Sequence, residues 1–480
     1  MGHITCKKGV FLRVMRLFSA HHPHFAVPAA LLFRYICTMK PQEIIALIKQ
    51  EVKPALGCTE PIAVALAVAK AAEIISENCP CCTDWRLKAD FRLDVAVSGN
   101  ILKNGMGVGI PGTGMVGLPV AAALGAVCGD SSLGLEVLSG LTPEAVERAK
   151  DLVSKGCVHI SVADTEHLLY VKATVSVEGG LEASAEVDPH AYAVIEDDHD
   201  RIVETSFADR ILMSSESAAA AKEYRPEAYD LTVKDIWDFA RTARYEDIAF
   251  ILGDRELNLA LAKEGLRGDY GLKVGKAIRE NQKEVFGDDF LSFAMGMTAA
   301  ASDARMAGST LPAMSNSGSG NQGITVSMPI IAYAMKYDVA DEPLARALIL
   351  SNLVAIHIKH FLGKLSALCG CVVASTGSAC GIVYLQGGGY DEVCYAIKNM
   401  AGNITGMVCD GAKVGCAMKV ASGVSCAVQS AVLALRGTCI PSTDGIVEDD
   451  VEATIRNVGA IGSAGMKATD SMILDIMLCK

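Results

Sequence analysis

Aromatic residues are scarce, only 5% of the 480 positions, which speaks against an aromatic-rich β-sandwich. Gly, Ala and Val abound instead, a mixture suited to closely packed helices. Positive charge is in deficit: 43 Lys and Arg against 55 Asp and Glu leave a formal −12. That balance argues against a general affinity for nucleic acid or an anionic membrane. Clean membrane-length apolar runs are missing too, although 51% of residues are hydrophobic. The longest runs, Ile324 to Met335 and Ala367 to Leu385, are too short or too punctuated by Gly, Ser and Thr. They read as core helices.

The first 38 residues lack any acid, yet hold Lys7, Lys8, Arg13, Arg16 and Arg34 and four of the ten histidines. Arg13, Arg16 and the stretch His21-His22-Pro23-His24 interrupt the apolar segment that a signal peptide needs. A well-patterned helix starts right after Met39. Residues 1–38 are therefore expected to be a non-native or disordered extension, with a transit segment as the other reading.

Cysteine is present in an uneven pattern. Seventeen are too sparse for a secreted disulfide framework, and seven of them fall between Cys369 and Cys426. The Cys79, Cys81 and Cys82 loop reads as structural. In a reducing compartment the later cluster points to metal or redox chemistry, against a background of ordinary buried thiols.

Ile44, Ile45, Leu47 and Ile48 recur at helical spacing until Lys53 and Pro54. A loop from Ala55 to Pro61 leads to a second helix from about Ile62 to Ser76. Phe91, Leu93, Val95 and Val97 alternate as a strand. The Gly-dense stretch from Ser98 to Gly114 allows close backbone approach to a ligand but is no Walker loop. Short alternating runs between Val158 and Phe207 read as an antiparallel sheet, and from Tyr229 the pattern is helical. The expected fold is α+β: a predominantly helical catalytic body formed by 39–85 and 225–480, with an inserted α+β domain, 86–224, containing a small antiparallel sheet.

Two constellations carry chemistry. Cys369, Cys409 and Cys416 stand forty and seven residues apart, a poor match for the close cysteine pairs of zinc sites. Iron–sulfur clusters take thiolates from distant turns and helix ends, so they tolerate such spacing. The loop Ser315-Asn316-Ser317-Gly318-Ser319-Gly320-Asn321-Gln322-Gly323 precedes an apolar helix. Small hydroxyl and amide side chains there suit a carboxylate or phosphate better than a bare helix cap requires.

The segments Glu51 to Pro61, Lys103-Asn104-Gly105 with Pro111-Gly112-Thr113-Gly114, Ala300 to Gly323, Leu365 to Cys369 and Cys409 to Lys413 resemble the L-cysteine desulfidase family. That family is related to the α subunit of bacterial iron–sulfur L-serine dehydratases. The resemblance runs from about Met39 to the end. It implies a [4Fe-4S] cluster, oxygen sensitivity and conversion of L-cysteine to pyruvate, ammonia and sulfide. It also implies a cytoplasmic enzyme that takes a small amino acid and needs no nucleic acid or membrane; a homo-oligomer is compatible with it. Cys58, Cys369 and Cys409 fall on the family's cluster cysteines. Cys416, or the penultimate Cys479, is the alternative further ligand.

Three thiolate ligands leave one iron open to act as a Lewis acid. Asn100, Lys103 and Asn104, together with Ser315, Asn316, Ser317, Ser319 and Asn321, are the substrate-binding candidates. Lys413 and His357 are the foremost candidates for the base, with His360 and Lys53 behind them. Asp303 and Arg305 read as an ion pair or as substrate contacts. An iron–sulfur L-serine dehydratase is the nearest competing function, and a non-catalytic iron–sulfur sensor is the competitor of another class.

Overall fold

The computed structural model describes residues 39–79, 85–88, 91–177, 189–215, 231–363 and 365–480. The extension 1–38, the thiols Cys81 and Cys82 and the insert boundary near 225 lie outside the described residues.

Helix α1 (Pro41–Glu51) opens on a proline, which suits a first helical position, and buries Ile44, Leu47 and Ile48. A two-residue strand, β1 (Pro54–Ala55), leads into α2 (Thr59–Asn78), whose Ala, Val and Ile side chains are buried on nearly every side. Strand β2 (Phe91–Val97) buries alternate residues, as its pattern requires. Helices α3 (Gly99–Gly105), α4 (Leu118–Cys128) and α5 (Pro143–Ser154) then cross over to β3 (Val158–Val162). The long crossover makes β3 parallel to β2, a pairing that alternation within one strand does not reveal. Strands β4 (Tyr170–Val177), β5 (His190–Glu196), β6 (Ile202–Phe207) and β7 (Arg210–Ser214) continue as an antiparallel meander. The sheet order is β3-β2-β4-β5-β6-β7.

Helix α2 lies between this sheet and α4, and together they enclose one apolar core. A Cβ at Gly125 would fall 2.3 Å from the Ala65 carbonyl oxygen, so α4 crosses α2 at backbone distance.

The second core belongs to α6 (Val233–Thr242), α7 (Gly253–Arg267), α8 (Phe290–Met306), α9 (Gly320–Tyr337), α10 (Asp341–Leu362), α11 (Gly370–Leu385), α12 (Tyr390–Ile404), α13 (Cys416–Leu435) and α14 (Val451–Ala460). A terminal helix, α15 (Lys467–Leu478), buries none of its own residues. Before α9, the short strand β8 (Ala313–Met314) pairs antiparallel with β1 and stitches the two layers together. The fold is α+β and mostly helical, as expected. By length and composition, α10 and α13 would suffice to cross a membrane; α10 is 83% buried over its apolar window, as a core helix is.

Candidate active site

Four helices direct their N-termini at one cavity of about 90 Å³. Cys58 is the N-cap of α2, Ser319 of α9 and Cys369 of α11, while α13 begins at Cys416. Each helix start carries unpaired amides and a partial positive charge, so the cavity favours anions. Thiolates at such ends gain the same field.

Local backbone pairing brings the thiols together. An isolated antiparallel bridge joins Leu368 to Val408. The Cys369 amide donates to the Met407 carbonyl at 2.9 Å, and the Cys409 amide donates to the Ala367 carbonyl at 2.6 Å. Cys369 and Cys409 thus lie diagonally across this bridge, on the same face of it, despite their separation in sequence. From Cys409 the chain loops through Gly411, whose φ of +90° and closeness to the Lys103 carbonyl exclude a side chain. It reaches Cys416 at the start of α13. Cys58, Cys369, Cys371, Cys409 and Cys416 all line the cavity.

Burial dominates the electrostatics. It pushes the Cys58 thiol well above its ordinary range, with Glu60 adding to the rise and Arg305 opposing it. Burial, then the neighbouring Cys409 and Cys416, pushes Cys369 up to about 12. Cys371 and Cys416 are raised for the same first reason. Burial works against charging Glu60, yet His199, a hydrogen bond from Cys58 and Arg305 hold its pKa below the usual carboxylate range. The Cys58 thiol donates to Glu60 Oε2 at 2.9 Å, and Asn104 Nδ2 donates to Glu60 Oε1 at 3.1 Å. Lys419 Nζ donates to the Val408 carbonyl at 2.8 Å and pairs with Asp410.

Among the described residues, no cluster of His, Cys, Asp and Glu is arranged to hold a single metal ion. A multi-iron cluster sets its thiolates further apart than one ion does, and soft thiolates are its usual ligands. The donor set, the converging helix ends and the cavity between them fit such a cluster. Protonated thiols would release their protons on binding it.

Of the residues singled out from sequence, Cys58, Cys369, Cys409, Cys416, Asn104, Ser319 and Asn321 line this cavity. Arg305, the other residue read as a substrate contact, lines it too, and the rest lie elsewhere. Asn100 and Lys103 line a neighbouring cavity of about 140 Å³, where Lys103 pairs with Asp470 of α15. Ser315 is tied to the Lys53 carbonyl, and Asn316 and Ser317 hydrogen-bond within the buried network behind the loop. Lys413 turns to Asp410. His357 is buried in the helical body with its Nε2 2.7 Å from Glu452 Oε2, and neither it nor His360 lines the cavity. Lys53 pairs with Asp200 at 2.9 Å. Asp303 does not pair with Arg305; its Oδ2 accepts from the Gly275 amide at 2.9 Å. Cys479 is exposed.

Sequence reasoning missed Glu60, Cys371 and Lys419, and named Gln322 only as part of its loop. Glu60 and Gln322 sit in first helical turns, where a polar side chain reads as a cap. Cys371 lies two residues beyond a chosen cysteine. Arg305, a cation at the end of the Ala-rich α8, was the available signal, because a charge in so apolar a helix needs a reason.

Comparison with known proteins adds three findings. The model of the serine dehydratase alpha chain matches residues 132–475. A protein of Oleidesulfovibrio alaskensis is 50% identical over 445 residues, covering 92% of this chain and 99% of the relative. Relatives from Bacteroides fragilis and Shewanella pealeana are 47% and 46% identical, over 92% and 90% of this chain and 98% and 97% of their own. All three carry the name UPF0597 protein, which states no reaction or substrate.

Proposed function

Because the chain belongs to the serine dehydratase alpha-chain family, we propose that it is an iron–sulfur-dependent lyase acting on L-cysteine. The products are pyruvate, ammonia and sulfide. The observation that carries this reading is the convergence of Cys58, Cys369 and Cys409 on one cavity at four helix N-termini. Cys416 is the candidate for a further ligand.

When bound, a [4Fe-4S] cluster supplies a Lewis-acidic iron for the leaving β-substituent. The chain's residues do the rest. The helix ends stabilise negative charge as it develops on the reacting atoms. Loss of the α-proton and the β-thiolate leaves 2-aminoacrylate, which tautomerises and hydrolyses to pyruvate and ammonia. Glu60 and Lys419 are the lining side chains with the chemistry to accept or return a proton.

Support for cysteine over serine comes from the five sequence segments that resemble the desulfidase family. The family description names serine, so elimination of water from L-serine is the second reading. Protein purified without oxygen separates them. The expected result is equal sulfide and pyruvate from L-cysteine, with kcat/KM above that for L-serine. The reverse order moves the assignment to serine dehydratase, and no pyruvate from either removes the lyase reading.

A further inference from the structure

The thiol cavity also contains four buried polar atoms without a hydrogen-bond partner: Arg305 Nε and Nη2, Asn104 Oδ1 and Gln322 Oε1. All three side chains are more than nine-tenths buried. Buried polar atoms are normally paired, so four together in one cavity call for a ligand.

Their orientation is fixed from behind. Gln322 Nε2 donates to Asn316 Oδ1 at 2.8 Å, and Asn316 Nδ2 donates to Asn352 Oδ1 at 2.8 Å. Asn352 Nδ2 in turn donates to the Leu348 carbonyl at 3.0 Å and to Asp254 Oδ2 at 2.9 Å. A main-chain carbonyl only accepts, so the chain of amides has one direction, which leaves Gln322 Oε1 facing the cavity. Asn104 is set the same way, because its Nδ2 must be the atom that faces the Glu60 carboxylate. Arg305 lies against Gly320, where a Cβ would stand 2.2 Å from its Nε. Only glycine leaves the guanidinium in that place.

The cavity therefore presents two aligned donors on a cation and two acceptors on amides. We propose that Arg305, Asn104 and Gln322 recognise the two charged groups of a free α-amino acid. Arg305 donates from Nε and Nη2 to the two carboxylate oxygens, a pairing that matches guanidinium geometry. Asn104 Oδ1 and Gln322 Oε1 accept from the ammonium. The substrate class is then a free amino acid with a small β-substituent, which excludes peptides, N-acyl derivatives and α-hydroxy acids. This inference rests on reading the cavity as the active site of an amino-acid lyase.

L-Alanine, which has no β-leaving group, is the probe. Its equilibrium binding is measured by calorimetry on oxygen-free holoenzyme, alongside iron content. The wild-type protein binds L-alanine, and propionate and L-lactate bind at least about tenfold more weakly. Arg305→Met weakens L-alanine by about a hundredfold with iron unchanged, and Arg305→Lys recovers part of the loss. Gln322→Met, a milder change, weakens it by about tenfold. Undiminished L-alanine binding in Arg305→Met or Gln322→Met overturns the proposal. So does loss of iron with binding retained, which would assign the guanidinium to the cluster. If Arg305→Met does not fold, the Gln322→Met result decides alone. L-Alanine binding through these residues without any elimination from cysteine or serine sinks the lyase reading and leaves this one standing. Wild-type KM for L-cysteine in Arg305→Met does the opposite.

Discussion

The short helix α3 forms a wall of two cavities that treat a buried cation in opposite ways. On one side Asn104 joins the thiol cavity, where Arg305 keeps two nitrogens without partners. On the other, Asn100 and Lys103 line the larger cavity, and the Lys103 ammonium is held by Asp470 of α15. From sequence, Lys103 was the more obvious carboxylate binder. The structure ties it into the fold and leaves the guanidinium available. What separates binding groups from structural ones is thus the pairing of each polar atom, more than its type or its place in a Gly-rich stretch.

The largest expected effect tests the thiol side. Cys58→Ala, Cys369→Ala or Cys409→Ala removes bound iron and abolishes pyruvate formation, measured on protein purified without oxygen. A variant that keeps both iron and activity removes that cysteine from the ligand set.

The next contrast is between the two cavities. Asp470→Ala leaves a buried lysine charge unpaired and is expected to lower unfolding stability by about 3 kcal/mol, read from the denaturant midpoint. KM for L-cysteine in folded Asp470→Ala stays within about twofold of wild type, against the roughly hundredfold weakening of amino-acid binding expected from Arg305→Met. Equal effects of both on KM would erase the distinction.

A smaller effect is expected from His357→Gln. It loses or weakens the contact with Glu452 and costs about 1–2 kcal/mol, while kcat/KM is unchanged. A fall in kcat with an altered pH profile would return His357 to the chemistry.

The finest test is pH dependence at the back of the binding wall. Burial raises Asp254 to about 7, although a hydrogen bond from Asn352 opposes the rise. A carboxyl whose pKa is higher folded than unfolded binds more protons in the folded state between the two values. Its contribution to stability therefore declines as pH rises from about 4 to about 7 and then levels off. Asp254→Asn should flatten that decline, seen as a mutant-minus-wild-type difference that grows with pH across the window.

The helical body and the strands were legible in the sequence because their apolar periods are local. The parallel placement of β3 was not, since it depends on a crossover of sixty residues between Val97 and Val158. Resemblance placed Cys58 with Cys369 and Cys409, and no local spacing could have done so. The loop from Ser315 to Gln322 stands out in the sequence as one unit, but its parts divide: Ser319, Asn321 and Gln322 line the cavity, while Ser315, Asn316 and Ser317 brace it from behind. That division depends on which way each side chain points once α9 starts, and small polar residues look alike in sequence. Arg305 was visible as a charge, but its role became readable only with its partners known.

The most direct test of the central claim is a count of iron and acid-labile sulfide in oxygen-free protein, paired with its elimination rate. The account predicts about four of each per chain in active protein, and near none in inactive Cys409→Ala. Colourless, iron-free protein that eliminates at the full rate would contradict it.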